Sequence, residues 1–251
     1  MCLLAFYFQS FDDYPLVVAA NRDEVLARPT APPQVLREKP LVYGGKDLQS
    51  GGTWLGINEH GLFVGILNRR SQIDEREPFR SRGLLCLDLL GAKSSDRARD
   101  ELMHHQDFLY RPFNLVFADA QAAYAAYNEN CRISSQRLEK GLHVLGNAPV
   151  LSPRSQKLVH AHELFQPAAE ILQLDGVGPK SIQILQAALS DHWGANDNGP
   201  KDAICVHMPS YGTVSSSLLF YNQNDKSFTT YYAPGPPCQN PYAKGLSISV
   251  S

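Results

Sequence analysis

The chain has 251 residues, 43% hydrophobic and 19% charged, which suffices for a buried core in one large α/β or α+β domain. Its net charge of −2 comes from signs scattered along the sequence, which excludes the electrostatic footprint of a nucleic-acid or anionic-membrane binder. Five cysteines, odd in number and without a CxxC pair, exclude zinc-finger spacing and a disulfide framework, so a reduced, cytoplasmic protein without a bound metal or cofactor is expected.

Met1-Cys2 opens the chain, and an apolar and aromatic run to Gln9 reads as a strand covered on both faces. Removal of Met1 would leave a thiol and a free α-amine on Cys2. The amine titrates at about 7.7–8.0, so it can take the thiol proton, and the pair is an activated nucleophile within one residue. After turn residues Asp12–Pro15, Leu16–Ala20 reads as a second strand, forming an antiparallel hairpin that ends in Asn21-Arg22-Asp23-Glu24. Those four polar residues are either site groups delivered beside Cys2 or a strand-to-loop boundary capped by Asn21 or Asp23. Four prolines from Ala27 to Val42 read as an extended surface excursion. Gly44-Gly45 and Gly51-Gly52 lack P-loop and dinucleotide spacing and suit close backbone approach. Trp54 follows as core or pocket wall.

Asn58–Gly61 is a tight turn between strands at Trp54–Ile57 and Leu62–Leu67, and the second strand ends at the polar Asn68-Arg69-Arg70. Ser81–Ala92, with Cys86 in its core face, and the Ser94-capped stretch to His105 read as helices. Phe113–Asp119 and Ala122–Asn128 form another hairpin. Leu142–Leu145 is a short strand that stops at Asn147, whose amide suits either an oxyanion hole or a turn. Helices are expected at Ser155–Phe165 and Ser181–His192 around a proline-bearing loop, then a mobile polar loop over 196–202. Strands at Ile204–His207, Thr213–Tyr221 and Phe228–Tyr232 precede an irregular, proline-rich tail. Strands and helices arrive in blocks, which suits antiparallel sheets covered by helices and not alternating βαβ units. No apolar run is long enough to span a bilayer, no signal-peptide pattern precedes Cys2, and no residue pattern sets an oligomeric state.

Met1-Cys2, the stretch Ala19–Glu24 with Arg28-Pro29, and Gly51-Gly52-Thr53-Trp54-Leu55-Gly56 carry a resemblance. So do Phe113–Leu115 through Asp119, Gly146–Ala148 and Tyr211–Thr213. On these residues the chain resembles the NRDE (transport and Golgi organisation protein 2-like) family. More distantly, Asn58–Asn68 and Val144–Pro149 are similar to segments of the choloylglycine hydrolase and penicillin V acylase group of N-terminal-nucleophile hydrolases. The implied architecture is a single α+β domain over 1–251, a four-layer αββα sandwich of two stacked, mainly antiparallel sheets.

The resemblance implies Cys2 as nucleophile, Asp23 positioning its amine, Asn147 and a main-chain group near Asn68 as oxyanion donors, and Arg22 in support. Asn21, Glu24 and Trp54 are expected to contact a small amide or acyl substrate. Two departures stand out: no arginine lies within Ser215–Phe220, and Val214 follows Thr213 where many NRDE sequences have arginine. The alternative function is a non-catalytic carrier of haem or an amphipathic lipid-like ligand. Under it, His60, His104, His105 and the Cys205-Val206-His207 triplet offer iron ligands, although none shows metal spacing and Cys238 lacks the Cys-Pro order of haem-regulatory motifs.

Overall fold

The computed structural model describes residues 3–69, 78–129, 132–148, 155–194 and 202–251. In chain order the strands are β1 (Leu3–Phe8), β2 (Leu16–Val25), β3 (Thr30–Glu38), β4 (Leu41–Asp47), β5 (Leu55–Asn58), β6 (Phe63–Asn68), β7 (Phe113–Ala118), β8 (Ala123–Glu129), β9 (Arg132–Arg137), β10 (Gly141–Leu145), β11 (Tyr211–Asn222), β12 (Ser227–Ala233), β13 (Ala243–Lys244) and β14 (Ile248–Ser249). The helices are α1 (Arg82–Leu89), α2 (Ser95–His104), α3 (Gln156–Asp175) and α4 (Pro179–Leu189). They fall into two compact units. One comprises Met1–Arg28, Lys140–Gly146 and Leu151–Ser247; the other comprises Pro29–Glu139, Asn147–Val150 and Ile248–Ser251.

In the first unit the strands run β10-β1-β2-β11-β12-β13, with the first four joined by antiparallel ladders. Odd-numbered residues of β1 and β2 (Leu3, Ala5, Tyr7, Val17, Ala19) share one face, as the period of two requires. They form a core with Ala161, Phe165, Ala168 and Leu172 of α3 and Leu185, Ala188 and Leu189 of α4. The Tyr7 hydroxyl, which burial keeps protonated, donates to the Phe165 carbonyl and ties α3 to β1. Helix α3 continues through Pro167, where the sequence predicts a loop. Its buried apolar residues, spaced at four, three and four, keep one apolar stripe on the sheet, and that packing outweighs the one backbone bond a proline cannot donate.

The second unit is a meander, β3-β4-β5-β6-β7-β8-β9, each strand antiparallel to the next. Helices α1 and α2 cover a core built from Val64, Ile66, Leu85, Leu89, Leu102, Leu115 and Phe117, with Cys86 in it as expected. The Ser94 side chain accepts the Arg97 N–H at 3.2 Å, the cap that starts α2. The proline-rich stretch, expected as an extended surface excursion, is extended and half-buried to exposed, and it is paired as strand β3. It lies at the sheet's end, and Pro32 and Pro33 fall where the ladder to β4 breaks register between Ala31 and Gln34. The close approach expected near the glycines is present: a Cβ on Gly45 would lie 2.4 Å from the Trp54 ring. Strand β9 was not expected, because of its six residues only Ile133 is apolar, as befits an edge.

Candidate active site

Asn21–Glu24 is not a strand-to-loop boundary. Strand β2 runs on to Val25, because β11 arrives as a partner for the tetrad. Thr213 pairs with Asp23 and Ser215 with Arg22, so Val214 is an extra residue, a bulge on β11. Val214 is also one of the two departures noted above. Leu3 pairs with Asn21, so β1 begins beside the same segment. Cys2, the expected nucleophile, lies outside the described residues, as do Arg70 and residues 196–201 of the expected loop.

Alternation along β2 puts Asn21 and Asp23 on the face toward α3 and α4, and Arg22 and Glu24 on the other. The Asn21 amide donates to the Leu189 carbonyl at 2.8 Å and the Ile204 carbonyl at 3.0 Å. Its Oδ1 accepts from the Ser216 hydroxyl at 2.7 Å, and Tyr242 Oη stands 2.5 Å from that hydroxyl. Since Ser216 has one proton and gives it to Asn21, Tyr242 donates to Ser216, consistent with burial raising the phenol's pKa. Asn21 thus spends its bonds joining β2, β11, the end of α4 and the segment before β11.

Asp23 is fully buried beside this network. Thr213 Oγ1 donates to its Oδ1 at 2.7 Å, and the Tyr211 hydroxyl donates to its main-chain carbonyl at 3.2 Å. Burial raises the Asp23 carboxyl's pKa, while the positive charge of Lys157 and the Thr213 hydroxyl pull it back. Lys157 comes from the first turn of α3, and its ammonium donates to the Ala203 carbonyl at 2.6 Å. On the other face, Arg22 and Arg28 lie 3.9 and 3.8 Å from Glu24 Oε2. Burial raises the Tyr232 phenol, with Ser215 and Arg22 acting against it.

In the second unit, Asn147 is buried in the turn after β10, and its Oδ1 has no hydrogen-bond partner among the described residues. The turn is held by Asn114 of β7, whose amide donates to the Ala148 carbonyl at 2.6 Å. Asn68 ends β6, exposed, and Trp54 is half-buried against Gly45. Of the expected iron ligands in this unit, His60 sits on a turn held by Asn58 and His104 is exposed. His105 lies 2.9 Å from the Tyr110 hydroxyl, its pKa lowered by burial. Reading the sequence missed Thr213, Ser216, Lys157 and Asn114. Thr213 and Asn114 left a signal, inside Tyr211-Gly212-Thr213 and Phe113-Asn114-Leu115, and Ser216 lay in the segment marked only for its missing arginine, while Lys157 left none.

A family model described as "Transport and Golgi organisation 2" matches residues 1–231. The chain is 28% identical over 245 residues to the Homo sapiens "Transport and Golgi organization protein 2 homolog", covering 87% of this chain and 88% of the relative. It is 28% identical over 239 residues to the Drosophila melanogaster "Transport and Golgi organization protein 2", covering 87% of this chain and 81% of that one. Among solved structures, a Caenorhabditis elegans N-acylethanolamine-hydrolyzing acid amidase ortholog matches with a TM-score of 0.56 at 12% identity, over 87% of this chain and 92% of that one. A single-residue variant of a Clostridium perfringens conjugated bile acid hydrolase matches with a TM-score of 0.56 at 12% identity, over 100% and 98%. A penicillin V acylase from Agrobacterium tumefaciens matches with a TM-score of 0.52 at 13% identity, over 94% and 84%. These likenesses show the fold, the α+β fold of the N-terminal-nucleophile hydrolases, as the sequence resemblance implied.

Proposed function

The chain belongs to the Transport and Golgi organisation 2 family, and from that membership we propose an N-terminal cysteine amidohydrolase or acyltransferase of a small amide or acyl compound. The observation that carries the reading is the register of β1 on β2. Leu3 lies opposite Asn21, and one peptide link of about 3.8 Å between Cα atoms tethers Cys2 to it. What supports the reading is therefore the place of Leu3, the residue bonded to Cys2, at the end of the sheet that holds Arg22 and Asp23. The names of the fold neighbours, an acid amidase, a bile acid hydrolase and an acylase, agree with amide cleavage.

In this reading Met1 is removed and the Cys2 α-amine takes the thiol proton. The thiolate adds to the carbonyl carbon, and Asn147 with a main-chain N–H near Asn68 donates to the oxyanion. The ammonium returns its proton to the departing nitrogen as the C–N bond breaks, leaving a thioester. Water, or an acceptor amine or alcohol, gives its proton to the same amine and attacks. The C–S bond then breaks, releasing the acyl product and restoring the thiol. Asp23 orients the α-amine, whereas Asn21, expected to contact substrate, has its side-chain amide engaged with Leu189, Ile204 and Ser216 and fixes the strands instead. Arg22 acts in support, and Glu24 and Trp54 contact substrate.

The test is intact-mass measurement of the mature protein followed by a thiol-directed acylating probe. The expected result is loss of Met1, one acyl group on Cys2, and no labelling in Cys2→Ala. Asn147→Ala should slow acylation by roughly 10²–10³, about 2.7–4 kcal/mol of barrier. Met1 retained in active protein, or unchanged turnover in Cys2→Ala, would overturn the proposal and leave the carrier reading.

A further inference from the structure

Outside this site, four metal-ligating side chains of the first unit converge: His192, Cys205, His207 and Cys238, with one donor atom from each within 4.8 Å of all the others. Cys205 Sγ lies 3.6 Å from Cys238 Sγ and 3.5 Å from His207 Nε2, and that nitrogen lies 3.2 Å from Cys238 Sγ. The His192 and His207 rings stand 5.2 Å apart, inclined by 36°. A tetrahedral zinc ion, with bonds of about 2.3 Å to sulfur and about 2.05 Å to nitrogen, requires edges of about 3.8 Å between sulfurs and about 3.5 Å between sulfur and nitrogen. The three distances match those edges to within about 0.3 Å. A disulfide would need its sulfurs at about 2.05 Å, so the cysteines stand at metal-sharing distance and not at bonding distance.

The backbone holds the donors there. The Cys205 N–H donates to the Asp191 carbonyl at 2.9 Å, fixing Cys205 beside His192. The Gln186 amide of α4 donates to the Pro237 carbonyl at 2.8 Å, fixing the residue before Cys238. Between Cys205 and His207, the Val206 N–H donates to Thr213 Oγ1 at 2.9 Å and its carbonyl accepts the Thr213 N–H at 2.9 Å. The segment therefore pairs with β11 through side chain and main chain, with one bridge from His207 to Gly212, and is not the expected strand. Gly212 permits the approach, since a Cβ there would lie 2.7 Å from the Val206 carbonyl oxygen. Cys205 is buried while His192, His207 and Cys238 reach solvent, which gives an ion a path in.

We propose that His192, Cys205, His207 and Cys238 bind one zinc-class divalent ion as a structural Cys₂His₂ site. Two thiolates and two imidazoles in a tetrahedron suit zinc ahead of harder or larger ions, and four protein donors leave no open position for catalysis. The ion would staple the end of α4, the lead into β11 and the tail after β12. It would also hold Val206 against Thr213, whose hydroxyl reaches Asp23. This proposal is independent of the N-terminal thiol chemistry.

The test uses untagged, reduced, full-length Cys2→Ser protein stripped with chelator and titrated with Co²⁺ alone, then Zn²⁺. One equivalent of Co²⁺ should give thiolate-to-cobalt charge-transfer absorption and intense tetrahedral d–d bands, both bleached by one equivalent of Zn²⁺. Both should vanish in Cys205→Ser/Cys238→Ser and persist in Cys86→Ser. Because the double variant removes a buried residue, His192→Ala is the second arm. It should keep the far-ultraviolet circular dichroism and weaken Co²⁺ binding by at least about 10-fold. No charge-transfer band at one equivalent, or bands unchanged in either variant, would overturn the site. So would a Cys205–Cys238 disulfide forming in place of metal uptake.

Discussion

At the scale of single residues, Asp23 carries opposed demands. Burial raises its folded-state pKa above the unfolded value, so between the two the folded form binds more protons and stability falls as pH rises through that window. Above the window the ionised carboxylate costs stability, a cost the proposed chemistry uses to hold an amine. Asp23→Asn keeps an acceptor for the Thr213 hydroxyl and removes the charge. Its melting temperature at pH 7 should exceed the parent's, and the gain should shrink to nothing as pH falls below both pKa values, while Cys2 acylation slows. A lower melting temperature at pH 7 would mean that Lys157 and its neighbours outweigh burial. The tetrad itself was legible in the sequence as a cluster of polar residues after an apolar run. Its partners were not, since Thr213 stands 190 residues from Asp23 and Lys157 has no local pattern that marks it.

At the scale of elements, the sequence revealed hairpins wherever two apolar runs flank turn residues, as in β1–β2, β5–β6, β7–β8 and β11–β12. It failed where distant pairing overrode local character: the polar end of β2, the proline-bearing β3, the polar β9 and helix α3 through Pro167. Cys205 and His207 were singled out in the sequence as possible ligands, but their convergence with His192 and Cys238 was not legible, because the four are spread from His192 to Cys238 and meet only when β11 and β12 are in place. One close contact in the second unit has a measurable consequence. Gly45→Ala places a Cβ 2.4 Å from the Trp54 ring, so that ring must move. The expected loss is about 1–3 kcal/mol in urea unfolding. The loss should shrink by more than about 0.5 kcal/mol when Trp54→Leu is present, which a double-mutant cycle reads directly. Equal losses in both backgrounds would place the strain elsewhere.

At the scale of the whole molecule, the two sheets differ in how far apart in sequence their neighbours lie. Every ladder in the β3–β9 meander joins consecutive strands, whereas the first unit must pair β2 with β11 across nearly the whole chain. Loop closure makes the latter the slower event. Pulse-labelling hydrogen exchange during refolding should protect β5–β8 amides before those of β2 and β11, and simultaneous protection would refute this order. The Asn21–Asp23 environment then forms late, after the cores of both sheets have begun to pack.

The outermost strand of the meander has a further consequence. Pro32 and Pro33 sit in β3 and have no N–H to offer beyond β4. A second copy of the chain meets an interrupted row of donors where it would otherwise add a strand, and the opposite edge, β9, presents Arg132 and Arg137. Both ends of the sheet are thereby protected against edge-to-edge polymerisation, so the prolines that mark the segment in sequence as an extended surface excursion act to keep the folded molecule from aggregating.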